Sequence, residues 1–475
     1  MNFARDVVDA APPDRPALVA LALDGSRREI AFGEVADRSG RLAGTLQARG
    51  VGRGDVVLTL VGNRPEWVEA MVACFRIGAV ALPCNEQLRA RDLRQRLTVA
   101  QPALIVVDER NLGELEAASP DCAVLVIPDG RMYDAEPAPA AELAPADPCL
   151  IVFTSGTSGE PKAVVHLQRY LPGQRVQAEH WFGPRAGELA WCTAASGWSK
   201  SARNVFIAPW LCGATALLHD GRFDPHERLS LLESERVAVL CMAPTEYRVI
   251  ASRAQPRPIE GLRGLVAAGE ALDPETLGAW REATGLEIRD GYGQTETGQT
   301  TGNPVGAPAR PGSMGKPLPG MRLWVEDGEL LLDPATVPTF FGRYLGGPPP
   351  TGTWHTGDRV RRDDDGYLYF EGRSDDVIIS AGYRIGPFEV ESAIVEHPAV
   401  AEAAVVAHPD EQRGSVVRAV VVLREGHEPS DALAGEIQEH VKRQTAPYKY
   451  PRVVHFADDL PKTASGKVRR AALRG

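Results

Sequence analysis

The stretch Phe153-Thr154-Ser155-Gly156-Thr157-Ser158-Gly159-Glu160-Pro161-Lys162, continuing Ala-Val-Val-His166, decides how the rest of the chain is read. It sets hydroxyls, glycines and a lysine directly after the apolar run 149–153. Glycine lets backbone amides approach an anion, hydroxyls donate to its oxygens, and an ammonium neutralises its charge. Two readings fit these residues: an ordinary surface turn, or a loop that cradles phosphate. A Walker loop is excluded, because Gly-x-x-x-x-Gly-Lys-Ser/Thr does not fit the spacing.

A second segment, Asp290-Gly-Tyr-Gly-Gln-Thr-Glu-Thr-Gly298, supplies groups that a nucleotide phosphate would need. Tyr292 offers a ring face to a base, Thr295 a hydroxyl to a phosphate, and Glu296 a carboxylate to a hard cation bridging phosphates. A dinucleotide fingerprint is rejected, since Gly291-x-Gly293-x-x is followed by Glu296.

The frame around these segments is a 475-residue chain with 44% hydrophobic and 24% charged residues. That is too long for one ordinary core and too apolar for a disordered chain, so at least two packed units are expected. A net charge of −11 is the wrong sign for a surface that tracks phosphate backbones, so no nucleic-acid partner is expected. No membrane span is expected either, because even the apolar segment 72–83 carries Arg76. The first residues show no basic region followed by an apolar run, and a cytoplasmic location follows. Seven scattered cysteines without a Cys-x-x-Cys pair read as reduced core thiols, and ten histidines form no His-Glu-x-x-His. Gly-x-Ser-x-Gly is absent, which removes the usual serine-hydrolase signature. Seven of the 52 basic residues are lysine, the first being Lys162, so arginine is the default cation and lysine marks places where a compact ammonium is wanted.

Apolar runs at 55–60, 79–82, 104–107 and 123–127 alternate with helical stretches such as 65–77, the rhythm of strand-helix-strand units with largely parallel sheets. Residues 136–148, mostly Ala, Pro and acid, read as a surface crossing. A second α/β stretch spans 190–298. Asp327-Gly328 between apolar runs predicts a tight hairpin. After Arg373 come a helix opened by Pro387, strands at 404–407 and 416–423, a helix after Ser430 and a strand at 453–456. The expected fold is α/β, a large N-terminal domain of several subdomains with parallel sheets, followed by a small, mobile C-terminal α+β domain. No internal repeat is present.

Two further segments join the first two: Thr356-Gly-Asp358 with Gly372-Arg-Ser-Asp-Asp-Val-Ile-Ile-Ser-Ala-Gly-Tyr-Arg384, and Leu460-Pro-Lys-Thr-Ala-Ser-Gly-Lys467. Together the four resemble the adenylate-forming superfamily of acyl-CoA synthetases, luciferases and nonribosomal adenylation domains. Tyr383-Arg-Ile-Gly-Pro-Phe-Glu-Val-Glu391, Ala446-Pro-Tyr-Lys-Tyr-Pro-Arg452 and Ala208-Pro-Trp-Leu-Cys-Gly-Ala214 look most like its medium-chain acyl-CoA synthetases.

The resemblance implies an adenylation domain over residues 1–374, which binds ATP and a carboxylic acid, and a C-terminal lid over 375–475 turning about Asp375. By the same resemblance Thr154, Ser155, Gly156, Thr157, Ser158 and Lys162 bind phosphate, and Gly269-Glu270-Ala271 contacts adenine. Asp290, Gly291 and Tyr292 belong to the same nucleotide site; Asp358 accepts the ribose hydroxyls, while Arg373 and Arg384 reach ribose or phosphate. Lys467, Thr295 and Glu296 are the catalytic set, with Glu296 also the ligand of Mg2+. Gly382 leaves room for the pantetheine arm of coenzyme A; Arg413, Lys442, Arg443 and Lys449 are candidates for its nucleotide end. Trp198 and Gly293 line the acyl pocket. Acetyl-CoA synthetases carry tryptophan where this chain has Gly293, so an opened wall and longer acids are expected.

Ser196 departs from the family, which commonly carries Asp before Gly-Trp. Lys200 has two readings, a group that holds an acidic tail of the substrate if it lies on the same face, or, favoured, a stem along a helix with its ammonium in water. The implied activity is ATP-dependent carboxylic acid:CoA ligation through an acyl-adenylate, with ATP, Mg2+ and coenzyme A, on medium-chain fatty or aromatic acids, in a monomer or homodimer. The alternatives are an acyl-AMP-forming enzyme that loads a carrier protein and a degenerate acyl-adenylate-binding protein.

Overall fold

The computed structural model describes the chain except residues 155–160, 271, 375, 377, 381–382, 411–412, 447, 463–467 and 475, with backbone alone at 383–384. Among the described residues two large sheets dominate. One runs in the order Arg343–Tyr344, Ala163–Leu167, Pro148–Phe153, Val80–Cys84, Val56–Leu60, Leu104–Asp108, Ala123–Ile127. The other runs Lys316–Pro317, Gly298–Gly302, Ile288–Gln294, Gly264–Ala268, Val239–Met242, Leu189–Cys192, Thr215–His219, Pro16–Leu21, Arg27–Ala31. Their central strands pair in parallel, and antiparallel strands close the ends near the candidate site.

Alternate residues of each central strand enter different cores, which is why these strands read as unbroken apolar runs. Val239 and Cys241 join the core shared by the two sheets, whereas Leu240 and Met242 pack under the helices Pro225–Ser234, Pro244–Arg253 and Pro274–Thr284. Likewise Val57 faces the shared core, while Leu58 and Leu60 face the helices Ala90–Ala100 and Leu112–Ala118. The shared core is filled by large rings: Trp67 of helix Pro65–Ile77 meets Phe206 edge-on at 5.7 Å, and Phe206 meets Trp210 at 5.0 Å.

The expected crossing at 136–148 is less loose than its composition suggests. Ala138 N donates to Gly40 O and Ala141 N to Arg76 O, so the segment is fastened to two helices. Gly44 permits the approach, since a Cβ there would lie 2.2 Å from Glu136 O.

The hairpin Leu323–Glu326 to Glu329–Leu332 turns at Asp327 and Gly328 with φ of 48° and 79°, the paired positive values of the favoured two-residue turn. It joins Trp354–Arg362 and Leu368–Arg373 in a four-stranded sheet. A smaller C-terminal domain follows, with the three-stranded sheet Val400–Asp410, Gly414–Leu423, Val453–Phe456 and the helices Pro387–Val395 and Asp431–Gln444. Its own core joins Ile378, Val390, Ile394, Val405, Val421, Ile437 and Val441. No described helix is long and apolar enough to cross a membrane.

Because Trp67 is fully buried between the sheets, Trp67→Ala should lower unfolding stability by ~3–5 kcal/mol, read from the denaturant midpoint of the large domain. A loss below about 1 kcal/mol would contradict the shared core.

Candidate active site

The first site element is the neck of the 154–162 loop. Strands Pro148–Phe153 and Ala163–Leu167 are antiparallel, so the loop closes a hairpin. Thr154 N donates to Lys162 O at 2.9 Å, and Lys162 N to Thr154 Oγ1 at 3.0 Å. The Lys162 ammonium, itself exposed, lies 5.1 Å from the centroid of the Tyr344 ring. The Tyr344 hydroxyl donates to Glu296 Oε1 at 2.8 Å. Tyr344 thus stands between the lysine of one motif and the carboxylate of another, and burial beside that carboxylate pushes its hydroxyl pKa up. Nothing in the Gly- and Pro-rich sequence around Tyr344 marks it. Its role follows from the pairing of Arg343–Tyr344 with Ala163–Leu167.

The second element is Asp358, 4% exposed. Its carboxyl accepts from the Tyr292 hydroxyl, from Gln294 Nε2 at 2.9 Å and from Arg373 Nη1 at 3.2 Å. Asp358 and Arg373 face each other across adjacent strands. Gln294 is clamped further: its Nε2 donates to Thr356 O at 2.8 Å, and its Oε1 accepts from Trp354 Nε1 at 3.0 Å. Burial pushes the Asp358 carboxyl above the usual range, and Arg373 opposes the shift. The pairing of Tyr292, Asp358 and Arg373 joins residues from separate motifs, while Gln294, unnoticed inside its motif, secures them.

The third element lies at the ends of the parallel strands. Asp290 Oδ1 accepts from Gly291 N at 2.8 Å, and burial pushes its carboxyl up to about 8, with Lys200 opposing. Lys200 is not in water as its sequence context predicts. Its ammonium donates to Ala268 O at 2.9 Å and Met242 O at 3.2 Å, because the helix Ser199–Ala202 starts over those strand ends. Gly269 has φ of 111°, which favours glycine. Glu270 accepts from Thr245 Oγ1 at 3.1 Å and lies 3.7 Å from Arg248.

At the expected acyl pocket, the buried Ser196 hydroxyl donates to Val61 O. Gly197 has φ of 88°, and a Cβ there would lie 2.3 Å from Asn85 N, so the turn presenting the half-buried Trp198 admits only glycine. Gly293 is confined by its own neighbouring backbone. A Cβ would point at Gly298 O, 1.9 Å away, where the register shifts between Tyr292 and Gly293. A close backbone approach thus by itself requires glycine at this position.

Ser155, Gly156, Thr157, Ser158, Ala271, Asp375, Gly382 and Lys467 lie outside the described residues, as does the Arg384 side chain. Two of the coenzyme A candidates are engaged locally: Lys449 pairs with Glu389 at 2.6 Å, and Lys442 pairs with Glu439.

Over residues 5–338 the chain matches the AMP-binding enzyme family, and over 389–467 the AMP-binding enzyme C-terminal domain. The mitochondrial acyl-coenzyme A synthetase ACSM4 of Homo sapiens is 38% identical over 522 residues, covering 100% of this chain and 90% of that protein. An uncharacterised acyl-CoA ligase of Bacillus subtilis (strain 168), YtcI, is 36% identical over 486 residues, covering 95% of this chain and 91% of its own length. The crystal structure of the anthranilate CoA ligase AuaEII in complex with anthranoyl-AMP superposes with a TM-score of 0.89 at 29% identity, covering 100% of this chain and 96% of that one.

The chain therefore belongs to the AMP-binding enzyme family of adenylate-forming ligases. Within it, the protein is an AMP-forming acyl-CoA synthetase of the group that includes the medium-chain enzymes.

Two outcomes follow from the geometry. An unfolded aspartate titrates near 4, so from ~4 to ~8 the folded chain holds a proton that the unfolded chain releases, and the stability from Asp290 falls as pH rises. Asp290→Asn should match wild type near pH 4 and gain on it toward pH 8, read as the difference in melting temperature; a constant difference would remove the assignment. Gly293→Trp should lose activity on short and long acids alike, with a lower melting temperature. Selective gain of acetate use would favour the wall reading.

Proposed function

We propose that the enzyme joins a carboxylic acid to coenzyme A in two steps, taking medium-chain fatty or aromatic acids. In the first, a carboxylate oxygen of the acid attacks the α-phosphorus of ATP and the bond to the β-phosphate oxygen breaks, releasing pyrophosphate. In the second, the thiol sulfur of coenzyme A attacks the acyl carbon of the adenylate, AMP departs, and the thiol proton passes to solvent. Both reactants of the first step are anions, so positioning and charge neutralisation carry most of the catalysis.

The observation that carries this reading is the connected set of contacts running from Lys162 through Tyr344 to Glu296, and from Tyr292 through Asp358 to Arg373. It joins a phosphate-type cation, a hard carboxylate, an aromatic face and an acceptor for a ribose diol. Glu296 Oε1 accepts from Tyr344, and Oε2 is without a hydrogen-bond partner among the described residues. A single carboxylate beside phosphate oxygens suits Mg2+, which keeps several waters and supplies charge neutralisation when bound. Asp358 would exchange donors for the ribose hydroxyls, and Tyr292 would then offer its ring to adenine. In this reading the adenylation domain ends at residue 374, and a lid of 375–475 turns about Asp375. Thr154 to Ser158 hold phosphate, Gly269, Glu270, Ala271, Asp290 and Gly291 frame adenine, and Arg384 meets phosphate in one orientation. Lys467 donates to the reacting carboxylate, Thr295 to phosphate, and Gly382 admits pantetheine.

A panel of acids with ATP, Mg2+ and coenzyme A should yield pyrophosphate and thioester together. Lys467→Ala should cut adenylation about a hundredfold or more while sparing thioester formation from supplied acyl-AMP. Pyrophosphate without thioester would favour transfer to a carrier protein; neither product would favour a binding protein.

A further inference from the structure

Resting on that reading, we infer that the acid carries a second anionic group at its far end and that Arg203 is the residue that holds it. Arg203 is 4% exposed, yet its Nε and Nη1 find no hydrogen-bond acceptor, and it forms no ion pair among the described residues. Burying a guanidinium without a counter-charge is costly, and buried polar atoms are normally satisfied.

The groups around it share the deficit. Both amide atoms of Gln174 are buried without hydrogen-bond partners, and the His166 ring nitrogens and the Tyr170 hydroxyl find none beyond the Thr295 backbone and Arg203 itself. The Arg203 charge acts on His166 and on Tyr170, and the His166 and Tyr170 rings lie 4.1 Å apart. Burial, aided by that charge, lowers the His166 pKa to about 3, so the imidazole is neutral and adds no competing charge. Arg169 also acts on His166, but its Nη2 is committed to Phe340 O at 2.9 Å, whereas Nε and Nη1 of Arg203 lack an acceptor among the described residues. A planar fork of this kind matches a carboxylate two bonds at a time.

Its position connects it to the acyl end of the site. Arg203 begins the helical segment Arg203–Ile207 on the run that starts just after Trp198, and His166 faces the backbone of Thr295. Helix Tyr170–Gln177 packs against both Arg203–Ile207 and strand Gly298–Gly302. The other cation of the run, Lys200, is committed to the carbonyls of Met242 and Ala268, which leaves Arg203 as the group awaiting an anion.

The test uses matched pairs of probes, hexanoate with adipate, octanoate with suberate and benzoate with terephthalate, each with ATP, Mg2+ and coenzyme A. Wild type should favour the diacid in at least one pair by tenfold or more in kcat/KM. Arg203→Leu should lower the diacid's specificity constant about a hundredfold more than the monoacid's, chiefly through KM, and Arg203→Lys should recover part of it. Preference for the monoacid in every pair, or an equal loss on both acids in Arg203→Leu, overturns the inference while leaving the ligase reading intact. If no acid is turned over, that reading fails, and melting temperatures decide the inference alone. A diacid should then raise that of wild type and not that of Arg203→Leu; no shift in wild type overturns it.

Discussion

The carboxyl of Asp358 is buried, and a buried carboxylate persists only when its oxygens are bonded. Here the donors are Tyr292, Gln294 and Arg373, drawn from the end of the nine-stranded sheet and from the four-stranded sheet. The turn carrying Thr295 and Glu296 is thereby fixed, and Glu296 can meet Tyr344, which the seven-stranded sheet holds beside Lys162. One desolvated acid thus ties three sheets into a single site.

Beneath the site, two sheets share an aromatic core, and the polar groups beside that core are of two kinds. Some have acceptors: Arg289 donates to Trp181 O and Phe182 O, and Arg38 pairs with Glu69. Arg203 is different: its Nε and Nη1 are buried without an acceptor. Families of this fold host many acids on one catalytic frame, and the far end of the pocket is where such differences can be accommodated without disturbing the phosphate chemistry.

The sequence made the strands and helices legible because both faces of the central strands are buried, which leaves runs such as Leu104–Asp108 unmistakable. The Asp327-Gly328 turn was legible for a similar local reason, since few residue pairs tolerate two positive φ values. The constraint on Gly293 was not legible, because a glycine in a motif looks the same whether it clears room for a ligand or for a neighbouring backbone, and the 1.9 Å approach to Gly298 O exists only in the folded chain. Lys200 was misread because the carbonyls that receive it belong to residues 242 and 268, far away along the chain.

The amino-acid sequence by itself determined the class of chemistry. Hydroxyls, glycines, one lysine and one carboxylate at motif spacing define what a phosphate site can do, and those identities are local. The tertiary structure alone decided which of these groups meet, that Tyr344 and Gln294 belong with them, and that Arg203 is buried without a counter-charge. Pairing and desolvation are properties of segments far apart in the chain, and no spacing along it records them.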